Sequence, residues 1–534
     1  MFERIINANV IDVINGKPFL AALEIENGRV TSIAGQTEWT EDEQALDLKG
    51  KYLSPGFIDT HSHLITYSSF RKQLDCSPEN VGSISEIIEK FKADQNQLLV
   101  DGWLRGYGYN EYELDEGRHP DRFDLDRIST EIPIYIQHNS AHMGTVNTKA
   151  LELIGVGLDE ADPKGGRYGR DENGQVNGGL FEFPAMAKLM AILSDADSTM
   201  LAENIEAGAQ DYLSKGITNT TEMFVGMLAG ETDYKGLLKY LEKPQKIRTR
   251  WAIDYNMLQN MPELKDATAQ ELEKKFETLS NGYSTLEGAK FFSDGSIQLN
   301  TASIRGDYYN GAPSDELQLE QDALEALYHE FQARGFPLIT HANGDYAART
   351  VIEAYKNTRS TKTTEVMNRV EHIQTVTPQD IQEMVDNNIG GSFFSNHLYY
   401  FGDIHKNYSL GPERVQDMNP VRWAEDQGMT FTIHSDCPVT DVSPLGSMKI
   451  VTERKTRNGE ILGQHQKLSR AEAYRKMTID AAKLNGTEGD EGSIEEGKLA
   501  DFVVLKQNPL DETVMLDDGL VEQTIVAGEV VFKK

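Results

Sequence analysis

The chain has 534 residues, with 52 Lys and Arg against 85 Asp and Glu, which gives a formal net charge of -33. Such an acidic surface repels a phosphate backbone and an anionic membrane, so nucleic-acid and membrane partners are disfavoured. The two cysteines, Cys76 and Cys437, exclude a disulfide framework and a zinc motif of paired cysteines. Nothing in the sequence resembles a signal peptide or a membrane-spanning stretch, so we expect a cytoplasmic protein.

Short alternating segments at both ends predict a small β-sandwich domain built from residues 1–55 and 487–534. Near the N-terminus, turn signals at Asn15-Gly16 and Asn27-Gly28 separate the segments, which is typical of antiparallel strands. The C-terminal part adds an apolar run and a hairpin pattern. Because neither end has enough apolar residues to close a core alone, we expect the two to pack together.

The central part alternates apolar, β-rich runs with longer helical patterns, which predicts parallel strands joined by crossovers. The predicted strands are 56–63, 216–222, 248–255, 288–294, 336–341, 369–372, 389–394 and 429–436. Eight such units favour a (β/α)8 TIM barrel, an α/β fold, over residues 56–66 and 200–486. The interval 67–199 is too long for one connection, so we expect an inserted subdomain over the barrel mouth.

Histidines and an aspartate at the ends of these strands predict a metal site. His61 and His63 are two positions apart on the first strand, so both side chains point to one face at the C-terminal edge of the barrel. His341, His372 and Asp436 end the fifth, sixth and eighth strands. For an isolated His-x-His, a pair of hydrogen-bonded core histidines is an equal alternative. Four imidazoles and a carboxylate at one rim favour metal binding, because each would otherwise need its own buried partner.

Lys290 interrupts the apolar fourth strand close to the same rim. Burial beside positive charge lowers the pKa of a lysine, and the neutral amine can react with carbon dioxide to form an anionic carbamate that bridges two metals. From the residue chemistry alone, a buried ion pair with Asp294 is the favoured alternative.

Several motifs resemble the amidohydrolase superfamily. The stretch LSPGFIDTHSH (53–63) is similar to its first-strand signature, and GSIEEGKLADF (492–502) to a strand of its C-terminal sandwich. Internal segments resemble the YtcJ-like branch, amidohydrolase family 3, which includes N-substituted formamide deformylases. These segments are HMGTVNTKAL (142–151), AKFFSDGS (289–296), HANGD (341–345) and SDCP (435–438). The resemblance runs nearly end to end.

This resemblance implies a barrel that holds one or two divalent ions, most often zinc. The implied ligands are His61 and His63 for the more buried ion, His341 and His372 for the other, Lys290 as a carboxylated bridge, and Asp436. Asp436 is also the implied catalytic residue, which moves a proton. The implied activity is hydrolysis of a C–N bond in a small amide or N-substituted formamide by attack of metal-activated hydroxide.

Other activities stay open at this point. The same site would also suit a lactone, a cyclic imide, a carbamate, a phosphoester or an isomerisation. A regulatory protein without turnover is disfavoured, because all six candidate ligands are present. A small-molecule substrate is the predicted partner, and the sequence leaves a homodimer open.

Further polar residues near the strand ends are candidate substrate contacts. His397 either contacts substrate and stabilises a developing oxyanion, or is a plain loop histidine. His434 stands where the family motif has a small residue, and it either narrows the substrate pocket or orients Asp436. We assign His397 and His434 to substrate binding, whereas a structural role is favoured for His138 and His142. Four tyrosines either line an apolar substrate pocket or belong to the core: Tyr107, Tyr109, Tyr399 and Tyr400.

Overall fold

The computed structural model describes residues 3–35, 45–78, 80–100, 102–140, 142–193, 198–358 and 366–534. The predicted units 1–55, 67–199 and 200–486 therefore include short stretches outside the described residues. The strands are β1 (Arg4–Asp12), β2 (Lys17–Glu26), β3 (Arg29–Gly35), β4 (Ala45–Asp47), β5 (Tyr52–Pro55), β6 (Phe57–Ser62), β7 (Leu74–Asp75), β8 (Leu99–Val100), β9 (Trp103–Tyr109), β10 (Ile134–His138), β11 (Met143–Val146), β12 (Arg167–Arg170), β13 (Val176–Phe181), β14 (Ile217–Val225), β15 (Arg248–Asp254), β16 (Ser284–Phe292), β17 (Leu338–Ala342), β18 (Arg369–His372), β19 (Gly390–Phe393), β20 (Phe431–Ile433), β21 (Phe502–Leu505), β22 (Val521–Val526) and β23 (Glu529–Lys533).

Helices follow most of the barrel strands and connect them. They are α1 (Leu64–Phe70), α2 (Ile84–Leu98), α3 (Arg122–Asp126), α4 (Thr148–Leu153), α5 (Glu182–Leu193), α6 (Ser198–Ser214), α7 (Glu231–Leu241), α8 (Tyr255–Asn260), α9 (Ala269–Leu279), α10 (Gln321–Ala333), α11 (Asp345–Asn357), α12 (Pro378–Asp386), α13 (His397–Tyr400), α14 (Gly402–Ile404), α15 (Gly411–Arg414), α16 (Val421–Asp426), α17 (Pro444–Glu453), α18 (Arg470–Lys476) and α19 (Ile479–Asn485). Among the described residues, none of these helices is both long enough and apolar enough to span a membrane.

The central sheet is a nearly closed, parallel eight-stranded barrel in the order β6-β14-β15-β16-β17-β18-β19-β20. All eight predicted barrel strands are confirmed, with ends that shift by a few residues. Strands β6 and β20 stand at the two ends of this order. Across the seam between them, Thr60 Oγ1 lies 2.8 Å from Thr432 Oγ1. Beyond the strand ends, His63 N donates to Cys437 O at 2.7 Å.

Strands from both termini share one hydrogen-bonded sheet in the order β23-β22-β21-β5-β1-β2-β3, with β4 paired to β1. The two ends of the chain meet where β5 and β21 pair antiparallel, with Pro55 opposite Phe502. A buried apolar cluster that includes Ile5, Val10 and Phe502 lies against this sheet. The further prediction, a two-layered sandwich, goes beyond this pairing and stays a prediction.

The interval after β6 contributes a separate sheet in the order β12-β13-β11-β10-β9-β7, with β8 paired to β9. The hairpin of β12 and β13 turns around Gly174, whose φ of 78° favours glycine. Two apolar clusters pack around this sheet, one with Phe91 and Ile136 and the other with Leu180 and Leu189. The interval therefore has a core of its own.

Buried charges fill the barrel interior below the strand ends. Arg369, which is fully buried, donates from Nε to Glu371 Oε1 and lies with Nη1 against Glu287 Oε1, both at 2.7 Å. Glu287 also pairs with Arg250. Arg369 and Glu371 are two positions apart on β18, so they point to the same interior face. Each charge of this network has an opposite partner, which offsets the cost of removing it from water.

Candidate metal centre

The first-strand histidines meet Asp436 at the C-terminal edge of the barrel. His61 Nε2 and His63 Nε2 each lie 3.1 Å from Asp436 Oδ1. The three side chains are buried, and their ligand atoms all lie within 4.8 Å of one another. The fold thus brings together predicted ligands that are separated by some 375 positions in the sequence.

A second group of ligand atoms shares His61. It contains His61, His372 and His434, again with all three ligand atoms within 4.8 Å of one another. The ring centroid of His61 lies 4.8 Å from that of His372 and 4.2 Å from that of His434. His372 Nδ1 is also 3.9 Å from Asp436 Oδ2. One imidazole, that of His61, therefore joins the two groups.

His341 lies beside this centre but outside both groups. Its ring centroid is 4.5 Å from that of His372. Its Nε2 lies 3.0 Å from both Gly295 O and Asn343 Nδ2.

Lys290 is buried at the same rim, with an exposed fraction of 1%. Burial lowers the pKa of Lys290 to about 8, although Glu371 and Asp436 act in the opposite direction. Within the described residues, no ion pair joins Lys290 to Asp294. Asp294 instead accepts hydrogen bonds from backbone N–H groups, among them those of Asn343 and Gly344. The ion pair that the residue chemistry favoured is therefore not formed.

Among the described residues, several buried polar atoms of the centre form no hydrogen bond. They are His61 Nε2 and Asp436 Oδ1, which face each other at 3.1 Å without forming one, His372 Nδ1 and both ring nitrogens of His434. A buried polar group without a partner is unfavourable by several kcal/mol, and native proteins rarely leave one unpaired. Imidazole nitrogens and a carboxylate oxygen are the ligands that zinc and similar divalent ions take. The donor set therefore fits a divalent metal.

Two carboxylates that sequence reasoning missed orient the first-strand histidines. Glu371 Oε2 lies 2.5 Å from His61 Nδ1, and Glu222 Oε1 lies 3.3 Å from His63 Nδ1. A carboxylate that accepts a hydrogen bond from Nδ1 fixes the tautomer in which the Nε2 lone pair is free to bind a metal ion. Burial alone would raise the pKa of Glu371, but Arg369 and His61 hold that pKa well below its usual range. The sequence signal that could have identified Glu371 is its spacing of two positions from Arg369, which puts both charged side chains on the interior face of β18.

The backbone of two candidate ligands is strained. His372 has a φ of 72° and Asp436 a φ of 54°, in the left-handed region that non-glycine residues seldom adopt. Such a conformation costs on the order of 1–3 kcal/mol and persists where the surrounding structure imposes it, often at functional sites. Both residues stand at the C-terminal ends of barrel strands, where the chain turns away from the rim.

The inserted interval reaches this centre through one of its two candidate histidines. The ring centroid of His142 lies 6.1 Å from that of His341, and its Nδ1 is 2.9 Å from Glu182 Oε2. His138 is instead part of a closed network in which Nδ1 accepts from Ser140 N at 3.1 Å. Its Nε2 therefore carries the proton and donates to a carboxylate of the same interval, that of Glu111, at 2.7 Å.

The two predicted substrate contacts lie on either side of Phe394. The ring centroid of His397 is 4.1 Å from that of Phe394, and that of His434 is 5.2 Å from it. Both histidines are buried, and His397 Nδ1 lies 3.3 Å from His405 Nε2. Burial lowers the pKa of His397 well below its usual value, so its ring is neutral.

A cavity of about 830 Å³ lies between the inserted interval and the loop after β20, and its described lining includes none of the candidate ligands. Three of the four predicted tyrosines line it, namely Tyr107, Tyr399 and Tyr400. Tyr109 belongs to the core of the insertion, because the extra residue Gly108 bulges β9 and turns Tyr109 to the other face. The cavity wall also includes Cys437, next to Asp436. Burial raises the pKa of Cys437 well above its usual value, which argues against a nucleophilic thiolate.

We expect Glu371→Gln to weaken metal binding by about 10–100-fold, the usual range for a residue that orients a ligand. The amide keeps the shape of the carboxylate but loses the charge that holds His61 Nδ1. Metal affinity measured by competition with a chelating dye checks this prediction. Glu353→Gln, at a half-buried surface position on α11, is the matched control. Wild-type affinity in the Glu371 variant would contradict the orienting role.

Comparisons with known proteins agree with the sequence motifs. A family model described as "Amidohydrolase family" matches residues 44–532. The N-substituted formamide deformylase of Arthrobacter pascens is 26% identical over 542 residues, covering 99% of this chain and 98% of that protein. The putative amidohydrolase YtcJ of Bacillus subtilis is 25% identical, covering 92% of this chain and 91% of that protein.

A solved structure with a similar fold is an uncharacterised metal-dependent hydrolase from Pyrococcus furiosus. It is 23% identical, with a TM-score of 0.73, and the match covers 95% of this chain and 99% of that chain. The fold, the strand-end ligands and the family model, which spans most of the sequence, point to one conclusion. The chain belongs to the amidohydrolase family.

Proposed function

We propose that this protein is a metal-dependent hydrolase that cleaves the C–N bond of a small amide or N-substituted formamide. One observation carries the proposal: among the described residues, buried atoms of His61, His372 and Asp436 that form no hydrogen bond belong to two ligand groups, His61, His63 and Asp436 and His61, His372 and His434, which share His61. Binding of one or two divalent ions would satisfy these atoms. The similarity to a named N-substituted formamide deformylase supports the choice of substrate class.

The proposed metal ligands are the six residues that the sequence singled out. They are His61, His63, Lys290, His341, His372 and Asp436. Zinc suits this imidazole-rich set better than magnesium or calcium, which prefer oxygen ligands. When bound, such an ion lowers the pKa of water from about 15.7 to about 7 and polarises a carbonyl oxygen.

Lys290 is proposed to act as its carbamate. The ammonium first loses one proton to solvent; the neutral amine then attacks carbon dioxide, a C–N bond forms as one C–O π bond breaks, and a second proton leaves to solvent, so the cation becomes an anion. The lowered pKa of Lys290, about 8, makes the neutral amine accessible near physiological pH. The charges of Glu371 and Asp436 act on Lys290, which supports a new carboxylate beside the candidate ligands.

Asp436 is proposed to move the proton. Its carboxylate faces both first-strand imidazoles through Oδ1, and the residue retains an exposed fraction of 7%. The carboxylate accepts the proton of the attacking water and returns it to the leaving nitrogen, so one group is base and then acid. His397 is proposed to donate a hydrogen bond to the oxygen that becomes negative. The net reaction of a formamide with water yields formate and an amine.

The cavity of about 830 Å³ supports a small-molecule substrate. Its wall combines Tyr107, Tyr399 and Tyr400 with charged residues such as Lys215 and Asp441. Its lining also includes Asn396 and Cys437, the chain neighbours of His397 and Asp436, which supports a substrate that extends from the reacting group into the cavity.

Turnover of a substrate panel tests this proposal. We expect release of formate and amine from N-substituted formamides, loss of activity after chelation, and recovery when zinc is restored. The panel includes a lactone, a cyclic imide, a carbamate and a phosphoester as matched competitors. Faster turnover of one of these would contradict the substrate class. Protein that carries no divalent metal after mild purification would contradict the hydrolase itself.

A further inference from the structure

His434 is a buried imidazole whose ring nitrogens form no hydrogen bond. The residue is fully buried, yet neither Nδ1 nor Nε2 has a hydrogen-bond partner among the residues that the structure describes. A histidine with both ring nitrogens unpaired in the interior is unfavourable, because the water that it bonded in the unfolded chain is not replaced. The fold keeps this ring in place nonetheless, which indicates a partner that the described part of the chain does not supply.

The neighbours of His434 define where that partner lies. One face of the ring stacks on His61, with centroids 4.2 Å apart and planes 11° from parallel. The other contact is Phe394, at 5.2 Å and 22°. The two rings fix its orientation by packing, and the ring of His372 lies 5.3 Å away. The unpaired nitrogens of His434 therefore lie next to unpaired nitrogens of His61 and His372.

We propose that His434 is a further ligand of the divalent metal, together with His61 and His372. This inference rests on the proposed function, which requires that a divalent ion be bound. Ligand atoms of the three histidines already lie within 4.8 Å of one another. Two nitrogens on one zinc ion are roughly 3.4 Å apart for tetrahedral bonds of about 2.0–2.1 Å, so small side-chain rotations close the difference.

The position of His434, directly after β20, distinguishes this role from the two that the sequence left open. His434 and Asp436 are two positions apart, yet no hydrogen bond joins them within the described residues, so His434 does not orient the aspartate. If His434 contacted only the substrate, the ion bound by His61 Nε2 and His372 Nδ1 would have one ligand fewer. A third imidazole raises the preference of the centre for zinc, nickel or copper over magnesium and calcium.

Metal affinity and the spectrum of the cobalt-substituted protein test the proposal. His434→Phe keeps an aromatic ring between His61 and Phe394 but has no ligand atom, and His434→Ala removes the ring. His465→Gln, at an exposed histidine, is the control. We expect both His434 variants to lose more than about 100-fold in zinc affinity, which exceeds the usual loss from an orienting residue. We also expect a changed visible cobalt spectrum in both, with the control unchanged.

Rescue by free imidazole separates ligation from packing. In His434→Ala, added imidazole enters the vacated space and is expected to restore the cobalt spectrum, whereas in His434→Phe the ring blocks it. Wild-type zinc affinity and an unchanged cobalt spectrum in both variants would overturn the proposal, as would an altered KM as their sole effect. These results leave the hydrolase proposal standing, because that proposal fails only if the wild-type protein binds no divalent ion.

Discussion

Replacing Asp436 by Asn is expected to lower kcat by about 10²–10⁴-fold, the usual contribution of a general acid–base group. The amide has nearly the shape of the carboxylate, but it neither accepts a proton nor carries the charge that faces His61 and His63. Steady-state kinetics on an N-substituted formamide, with metal content measured in parallel, checks the prediction. If kcat falls while metal content stays at the wild-type level, the lower kcat results from impaired proton transfer and not from loss of metal.

Asp426→Asn is the matched control for that experiment. Asp426 lies on the helix before the eighth barrel strand, is largely exposed, and pairs with Arg422. An exposed ion pair of this kind contributes little to stability, so the control should behave as wild type. A near-wild-type kcat in Asp436→Asn would contradict the role of Asp436 as the proton carrier.

Replacing Lys290 by Ala is expected to remove most of the bound metal and nearly all of the activity. Lys290 is the one candidate ligand on the fourth barrel strand, and its loss would remove the proposed carbamate and its negative charge. We expect the loss of metal affinity to be at least as large as the roughly 10–100-fold seen when orienting residues are removed. Metal analysis of protein purified without chelators measures it, and added metal alone should not restore turnover.

The carbamate itself has a direct readout. Protein equilibrated with ¹³C-labelled bicarbonate should show a carbamate carbon signal in the NMR spectrum that is absent from Lys290→Ala. Lys235→Ala, at an exposed lysine that pairs with Glu231, is the control for general loss of charge. Unchanged metal occupancy in Lys290→Ala, or no labelled carbon in the wild type, would argue against the bridge.

The barrel and the positions of its candidate ligands could be predicted because both depend on local pattern. Each strand is a short apolar run that ends in a polar residue, and parallel strands bring all such ends to one rim. The spacing of His61 and His63 by two then puts both rings on one face. These rules need no knowledge of how the strands pair.

What the sequence could not provide depends on distances across the barrel. Glu371 orients His61, which is 310 positions away, and only the closed strand order brings them together. Tyr109 was one of the candidate pocket residues, but a one-residue bulge at Gly108 turns it into the core of the insertion. The missing hydrogen-bond partners of His434 are likewise a property of its surroundings. The alternation of residue types around the eighth strand does not reveal them.

The seam of the barrel has a consequence for stability. Strands β6 and β20 end the hydrogen-bonded order, and few backbone contacts, such as the one from His63 N to Cys437 O, cross between them. His61 and His63 lie on one side of that seam and Asp436 on the other. An ion bound by all three would therefore link the first barrel strand to the last. Because ligand binding adds RT ln(1 + [L]/Kd) to the free energy of unfolding, loss of the ion loosens the barrel where its first and last strands meet.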